Sequence, residues 1–208
     1  MAIFDRFKSD EHSEMSFIDH LEVLRGTIVR SLFSILIAFV TLFIYRDWIM
    51  DHVIMGPLYP DFITYKAFCD LSHYLHLGDS LCMPPVKVTL QSTTFGGQFL
   101  SAISMAFIGA IIVAFPFIFW QIWSFIKPAL KENELKNTRF MIFFVSFFFF
   151  FGAAFGFFVL GPFTFNFLAG FQLGTRGAVT TIPTFADYID NLTNLILGCG
   201  IAFDMPVI

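Results

Sequence analysis

The chain has 208 residues, of which 57% are hydrophobic and only 13% are charged. Soluble globular domains carry about 25% charged residues, so this composition leaves too few polar side chains to cover a water-facing surface. The formal net charge is -4 and there is no basic tract, which argues against a nucleic-acid partner.

The N-terminal region predicts a polar tail followed by a first membrane span. Residues 1–15 are mixed in charge and lack the short apolar stretch of a cleavable signal peptide, so we expect a cytoplasmic tail. A Ser-x-x-Asp pattern ending at Asp19 marks a helix start. Asp19, Glu22 and Arg25 lie on the polar part of an amphipathic helical turn or two that we call the lead to the first span. This lead continues into a span at about 28–45, since roughly 20 apolar residues cross a bilayer.

A long hydrophilic segment, 49–96, separates the first span from the second. Proline and glycine divide this segment into turns and short elements. The second span is predicted at about 99–126 and contains Pro116, which removes a backbone hydrogen bond and is expected to kink the helix. Trp120 and Trp123 near its end are typical of the membrane interface.

Two further spans are predicted at about 140–163 and 188–208, joined by a polar connection at 164–186. Gly152 and Gly156 form a G-x-x-x-G step in the third span, and small residues at that spacing let helix backbones approach closely in lipid. The predicted fold class is therefore all-α, a polytopic transmembrane helix bundle.

Positive charge is distributed unequally between the two sides that these spans create. Eight Lys and Arg residues fall in the N-terminal flank and in residues 127–139, against four in residues 46–96 and 164–186. Cytoplasmic loops carry the excess of Lys and Arg. The N-terminus and the 127–139 loop are therefore predicted to be cytoplasmic, and the 49–96 segment to face outward.

The outward segment contains two cysteines, Cys69 and Cys82. An oxidising compartment permits a disulfide between them. Metal binding is the alternative, because His73 and His76 lie between the cysteines, but no second cysteine pair accompanies them. We therefore expect a disulfide, no metal and no cofactor.

The charged residues of the cytoplasmic side offer a binding surface rather than a catalytic site. No catalytic motif stands out, so an enzyme is not expected. Asp19 and Glu22 precede the first span, and Glu132 and Glu134 precede the third. Carboxylates can hold a guanidinium group bidentately. The alternative is an ordinary solvated loop.

Asp204 lies inside the fourth apolar run. An ionisable group at membrane depth costs free energy and is a functional-site hypothesis by default. The alternative is that the span ends just beyond Asp204 and that its carboxylate reaches water.

Five segments, in order, resemble TatC, the multispanning receptor subunit of the twin-arginine protein translocase. They are HLEVLR (20–25), GPL (56–58), PFIFWQIWSFIKPALKENE (116–134), FVLGPFTFNFL (158–168) and GIAFDMPV (200–207). The resemblance covers about 16–208 and implies a six-helix protein with both termini in the cytoplasm. Four spans would then be present in this chain, and we expect it to be truncated at its C-terminus.

The resemblance also implies a function and a set of residues that perform it. The family's receptor binds the twin-arginine signal peptides of folded cargo and scaffolds their export, which the proton-motive force drives. Pro57 matches a position tied to function, and the family's intramembrane acid, usually Glu, matches Asp204. The implied signal-peptide-binding residues are Asp19, Glu22, Arg25, Gln121, Phe125 and Glu134.

The implied partners are small single-span membrane proteins of the TatA and TatB types, further copies of the chain and the lipid of the bacterial inner membrane. No cofactor is implied.

One position departs from the family pattern H-L-x-E-L-R, in which Glu directly precedes the final Leu-Arg. This chain has Val23 there, and Glu22 is displaced from it by about 100° around the helix. Either Glu22 substitutes for the family glutamate or Asp19 shares its role.

A proton-coupled secondary transporter, with Asp204 as the proton site, is the alternative function. An internal repeat would favour it, and none is convincing. An intramembrane enzyme would need a second catalytic group near Asp204, and none is visible.

Overall fold

The structure, a computed structural model, describes residues 17–59, 61–76, 78, 82, 90–126, 138–171 and 182–206. In the first and fifth helices, side chains are described from Glu22 and from Met141 onward.

The regular elements of the described residues are all helical. Residues Gln91 and Thr184 form an isolated parallel bridge, and no strand forms among the described residues. The helices are α1 (Phe17–Ile44), α2 (Arg46–Ile49), a π-helical turn (Met50–Ile54), a 3₁₀ turn (Gly56–Leu58), α3 (Ile63–Tyr74), α4 (Gly97–Ile126), α5 (Thr138–Phe155), a second π-helical turn (Gly156–Leu160), α6 (Gly161–Gly170) and α7 (Phe185–Asp204).

Three helical segments are long and apolar enough to cross a membrane: Glu22–Ile44, Gly97–Ile126 and Met141–Gly170. In the most apolar stretch of each segment, only 6% to 28% is buried inside the protein, so most of the apolar surface is available to lipid. The chain is therefore a polytopic membrane protein. Helix α7 is 20 residues long but carries three aspartates and is not among these three, so the fourth span stays a prediction.

The helices pack as two long pairs. Helix α1 lies along α4, with the Leu42 side chain against Gly109, and α4 continues as one helix through Pro116. Helix α5 lies along α7, and α4 also contacts α7, so α4 joins the two pairs.

The α5–α7 pair is held at backbone distance by glycine. A Cβ atom built on Gly152 would lie 2.5 Å from the carbonyl oxygen of Cys199, and one on Gly156 would lie 2.9 Å from that of Leu195. Gly200 on α7 receives the ring of Phe149 in the same way. The close approach that the G-x-x-x-G spacing indicates is therefore made by α5 on α7.

The predicted polar connection at 164–186 begins too early, because α6 continues the third helical segment to Gly170. Pro162 does not end the helix. It lies in the first turn of α6, directly after the π-helical turn, and it cannot donate a hydrogen bond to the preceding turn. The carbonyl of Phe158, four residues before Pro162, accepts a hydrogen bond from the Thr64 hydroxyl.

The segment after α1 is tied to the bundle by hydrogen bonds to its backbone carbonyls. The Tyr188 hydroxyl of α7 donates to the carbonyl of Ile54 over 2.5 Å, and the Tyr65 hydroxyl of α3 donates to that of Pro57 over 2.8 Å. Pro57 itself is fully buried. Burial raises the pKa of the Tyr65 hydroxyl, so this donor keeps its proton well into the alkaline range.

Helix α3 is fixed near its middle by a covalent bond. Cys69, in α3, and Cys82 form a disulfide with a Cα–Cα distance of 4.4 Å. At its start, the Thr64 hydroxyl donates to the carbonyl of Phe158 over 2.6 Å. The predicted turn-rich segment therefore contains an ordered helix with defined attachments at its start and near its middle.

The glycine contact makes a quantitative prediction for stability. We expect Gly152→Ala to lower the free energy of unfolding by about 1–3 kcal/mol, because the added methyl group displaces the α7 backbone. Gly198→Ala is the matched control on α7, since a Cβ atom there meets nothing within 4 Å. It should leave stability unchanged or raise it by up to about 1 kcal/mol. Thermal unfolding in detergent measures both, and equal stability of the two variants would contradict the proposed packing.

Candidate functional site

Two of the predicted binding residues lie exposed near the start of α1. Glu22 and Arg25 are three residues apart and are therefore neighbours on one side of the helix. Val23, at which the resemblance places the family's glutamate, is 42% exposed, so a longer polar side chain would fit there. The carboxylate and the guanidinium are both available to a ligand at this end of the helix.

Two more predicted residues lie one turn apart at the end of α4. Gln121 is buried, with 8% of its surface exposed, and Phe125 is half-buried. Phe125 lines an apolar cleft of about 420 Å³ between α1 and α4. The cleft is lined by Leu24, Thr27, Ile28, Ser31, Leu32, Ile35, Ile118, Ile122, Phe125 and Ile126.

Because Leu24 and Phe125 line one cleft, the start of α1 and the end of α4 lie at the same end of the bundle. The connection between α4 and α5 leaves from this end. Glu134 belongs to that connection and lies outside the described residues, as does the side chain of Asp19. The structure thus brings Glu22, Arg25 and Phe125 to one end.

Asp204 closes α7 and is buried inside the protein, with 3% of its surface exposed. Its Oδ1 atom has no hydrogen-bond partner among the described residues. The preceding residue, Phe203, packs against Gly152. The contact between α5 and α7 therefore holds this carboxylate within the bundle rather than in water, which leaves a strong hydrogen-bond acceptor at the end of α7.

Two other buried polar atoms lack a hydrogen-bond partner in the described part of the chain: the Oγ atom of Ser146 on α5 and the Nε1 atom of Trp123 on α4. The Phe149 ring of α5 contacts Gly200 of α7, and the two helices run antiparallel. Asp204 lies about one turn after Gly200, and Ser146 lies about one turn before Phe149. Two of the three atoms therefore lie at a similar depth.

The sequence pattern does not single out Ser146, and it indicates Trp123 only as an interfacial side chain. The one sequence feature that could have indicated Ser146 is its hydroxyl group, which interrupts a phenylalanine-rich apolar run. For Trp123, nothing in the sequence distinguishes its half-buried ring and buried Nε1 atom from the neighbouring Trp120, which is 51% exposed.

Comparison with known proteins places these features in a family. The family model for the Sec-independent protein translocase protein (TatC) matches residues 19–208. The TatC protein of Blattabacterium sp. from Periplaneta americana is 35% identical over 199 residues, which cover 95% of this chain and 74% of that protein. The TatC protein of Campylobacter jejuni is 30% identical over 189 residues, covering 91% of this chain and 67% of that protein.

A crystal structure of the twin arginine translocase receptor TatC has the same fold. It superposes with a TM-score of 0.66 at 24% sequence identity, covering 90% of this chain and 72% of that one.

The unpaired oxygen of Asp204 predicts an unusual mutational effect. We expect Asp204→Leu to keep or raise the free energy of unfolding, by up to about 1–3 kcal/mol, because it removes a buried acceptor without a donor. Asp190→Leu, on an exposed position of the same helix, is the control and should change stability by less than about 0.5 kcal/mol. Thermal unfolding in detergent is the measurement, and a marked loss of stability in Asp204→Leu would show that the carboxylate has a structural partner.

Proposed function

The chain belongs to the TatC family of Sec-independent protein translocase proteins, and we propose that it is the receptor subunit of a twin-arginine translocase. In this function it binds the twin-arginine signal peptides of folded proteins. It also scaffolds the export of those proteins, driven by the proton-motive force. The membrane is the bacterial cytoplasmic membrane, with the N-terminus in the cytoplasm.

The observation that supports this proposal best is the shared end of α1 and α4. Glu22 and Arg25 are exposed at the start of α1, beside a cleft that Phe125 of α4 lines. The loop that carries Glu134 begins directly after α4. An arginine pair needs carboxylates in a fixed arrangement, because guanidinium binds carboxylate most strongly through two parallel hydrogen bonds.

The apolar cleft suits the part of a signal peptide that follows the arginines. Its lining is almost entirely aliphatic and aromatic, apart from the hydroxyl groups of Thr27 and Ser31. Both hydroxyls donate to backbone carbonyls of their own helix, at Val23 and Thr27 respectively. The cleft therefore offers apolar surface to a ligand whose polar end is held by the acidic residues.

The orientation is supported by charge. The end of the bundle at which α1 begins carries the excess of Lys and Arg, which remain on the cytoplasmic side of bacterial membranes. The proposed partners are single-span TatA- and TatB-type proteins and further copies of this chain. Asp204 offers such partners a buried hydrogen-bond acceptor in the bundle.

The loop glutamate gives the first functional test. We expect Glu134→Ala to abolish export of a folded reporter that carries a twin-arginine signal peptide, because one carboxylate of the arginine site is lost. Glu132 is not among the signal-peptide-binding residues that the family resemblance implies, so Glu132→Ala, which removes the same charge from the same connection, should export normally. Export is measured by fractionation, with membrane insertion of each variant checked by immunoblotting. Normal export by an inserted Glu134→Ala variant would refute the proposed receptor site.

The departure at Val23 gives the second test. If Glu22 replaces the family glutamate, Glu22→Gln should weaken signal-peptide binding by about 10-fold to 100-fold, the loss expected for one charged hydrogen-bonding group. Val23→Glu in that background should restore binding. The affinity of a labelled signal peptide for the detergent-solubilised protein measures both changes. Unchanged binding in Glu22→Gln, with a loss in Asp19→Asn, would assign the role to Asp19.

A further inference from the structure

The second half of α3 contributes to a cluster of metal-binding side chains that the proposed translocase function does not use. The donor atoms of Cys69, His73 and Cys82 all lie within 4.8 Å of one another. The cysteines are half-buried and His73 is exposed, so the cluster is accessible from solvent. In the disulfide-bonded form the two sulfur atoms are bonded to each other and are not available as thiolates.

Two of the three donors are placed by one helix. Cys69 and His73 are four residues apart on α3, so their side chains lie on one face, one turn apart. The helix is anchored away from the cluster by the Thr64–Phe158 hydrogen bond and by an edge-to-face contact of Phe68 with Phe163 of α6. These attachments do not involve sulfur, so reduction of the disulfide breaks neither of them directly.

The residues described directly after α3 remain close to the helix. His76 and Gly78 both have a positive φ, of 57° and 64°. The Ser72 hydroxyl donates to the carbonyl of Gly78 over 2.5 Å, which holds Gly78 beside α3. The third donor, Cys82, lies with its Cα atom 4.4 Å from that of Cys69.

We propose that reduction of the Cys69–Cys82 disulfide converts this cluster into a zinc site, with both cysteine thiolates and the His73 imidazole as ligands. A dithiol reductant supplies two electrons and two protons, the S–S bond becomes two thiols, and the reductant leaves as its own disulfide. Zn²⁺ then displaces the two thiol protons. Water completes the tetrahedron.

The chemistry of the donor set fits zinc. Thiolate and imidazole are its usual ligands, and a tetrahedral site with bonds of about 2.0–2.3 Å places neighbouring donors about 3.5–3.8 Å apart. The Cα–Cα distance of 4.4 Å between the cysteines and the limit of 4.8 Å on the donor separations place both sulfur atoms and the imidazole within reach of one ion. Two thiolates balance the charge of the ion. The segment thus has two alternative cross-links, a covalent bond when oxidised and a metal when reduced.

The experiment uses the protein in detergent with Cys199→Ala as background, so that the remaining free cysteine cannot bind metal. The protein is reduced with dithiothreitol, freed of it under argon and titrated with Zn²⁺ against a chromophoric chelator. Co²⁺ replaces zinc in a parallel titration, where a thiolate-to-cobalt charge-transfer band reports sulfur ligands. We expect one zinc per reduced chain and none per oxidised chain.

The matched control separates the proposed site from general histidine binding. His73→Ala should weaken zinc binding at least about 10-fold, as expected for a lost ligand. His76→Ala, a histidine of the same segment, should bind like the background protein. Absence of zinc binding by the reduced chain would overturn the proposal, even where circular dichroism shows that reduction has unfolded α3. Equal binding by the oxidised chain, or equal losses in the two histidine variants, would overturn it as well.

Discussion

The close contact of α5 with α7 is the constraint on which the rest of the bundle depends. Helices in lipid gain little from the hydrophobic effect, because lipid tails are as apolar as the side chains, so they associate through close packing and hydrogen bonds. Gly152 and Gly156 supply that packing by letting the carbonyl oxygens of Cys199 and Leu195 approach the α5 backbone. The same contact sets the rotation of α7, and with it the direction of Asp204.

Among the described residues, buried polar groups have hydrogen-bond partners at one end of this helix pair and lack them at the other. Near the start of α7, the Tyr188 hydroxyl is paired with the Ile54 carbonyl, and its ring packs on Phe165 at 4.6 Å between centroids. Near the end of α7, Asp204 and Ser146 each carry a buried oxygen without a hydrogen-bond partner in the described chain. Unpaired buried oxygens lower stability. The hydrogen bond near the start of α7 therefore stabilises the bundle, whereas the oxygens near its end remain available as hydrogen-bonding groups.

The proposed signal-peptide site and the disulfide segment lie on separate parts of the molecule. The proposed signal-peptide site is formed where α1 begins and α4 ends, whereas the disulfide segment extends from α3, which attaches through Phe158 and Phe163 to the other end of the third helical segment. A redox change at Cys69 and Cys82 can thus alter the α3 segment without touching the acidic residues. This separation makes the two proposals independent of each other.

The sequence by itself determined where the apolar helices are, because a bilayer demands long runs without charge, and Asp204 and Gly152 stand out against such runs. The resemblance also named Gln121 and Phe125. Tertiary structure alone decided that α1 pairs with α4, that α6 continues to Gly170, and that Trp123 and Ser146 carry buried polar atoms. It also decided which polar groups are paired, because a hydrogen bond such as Tyr188 to Ile54 joins residues 134 positions apart, and no local pattern specifies a contact over that separation.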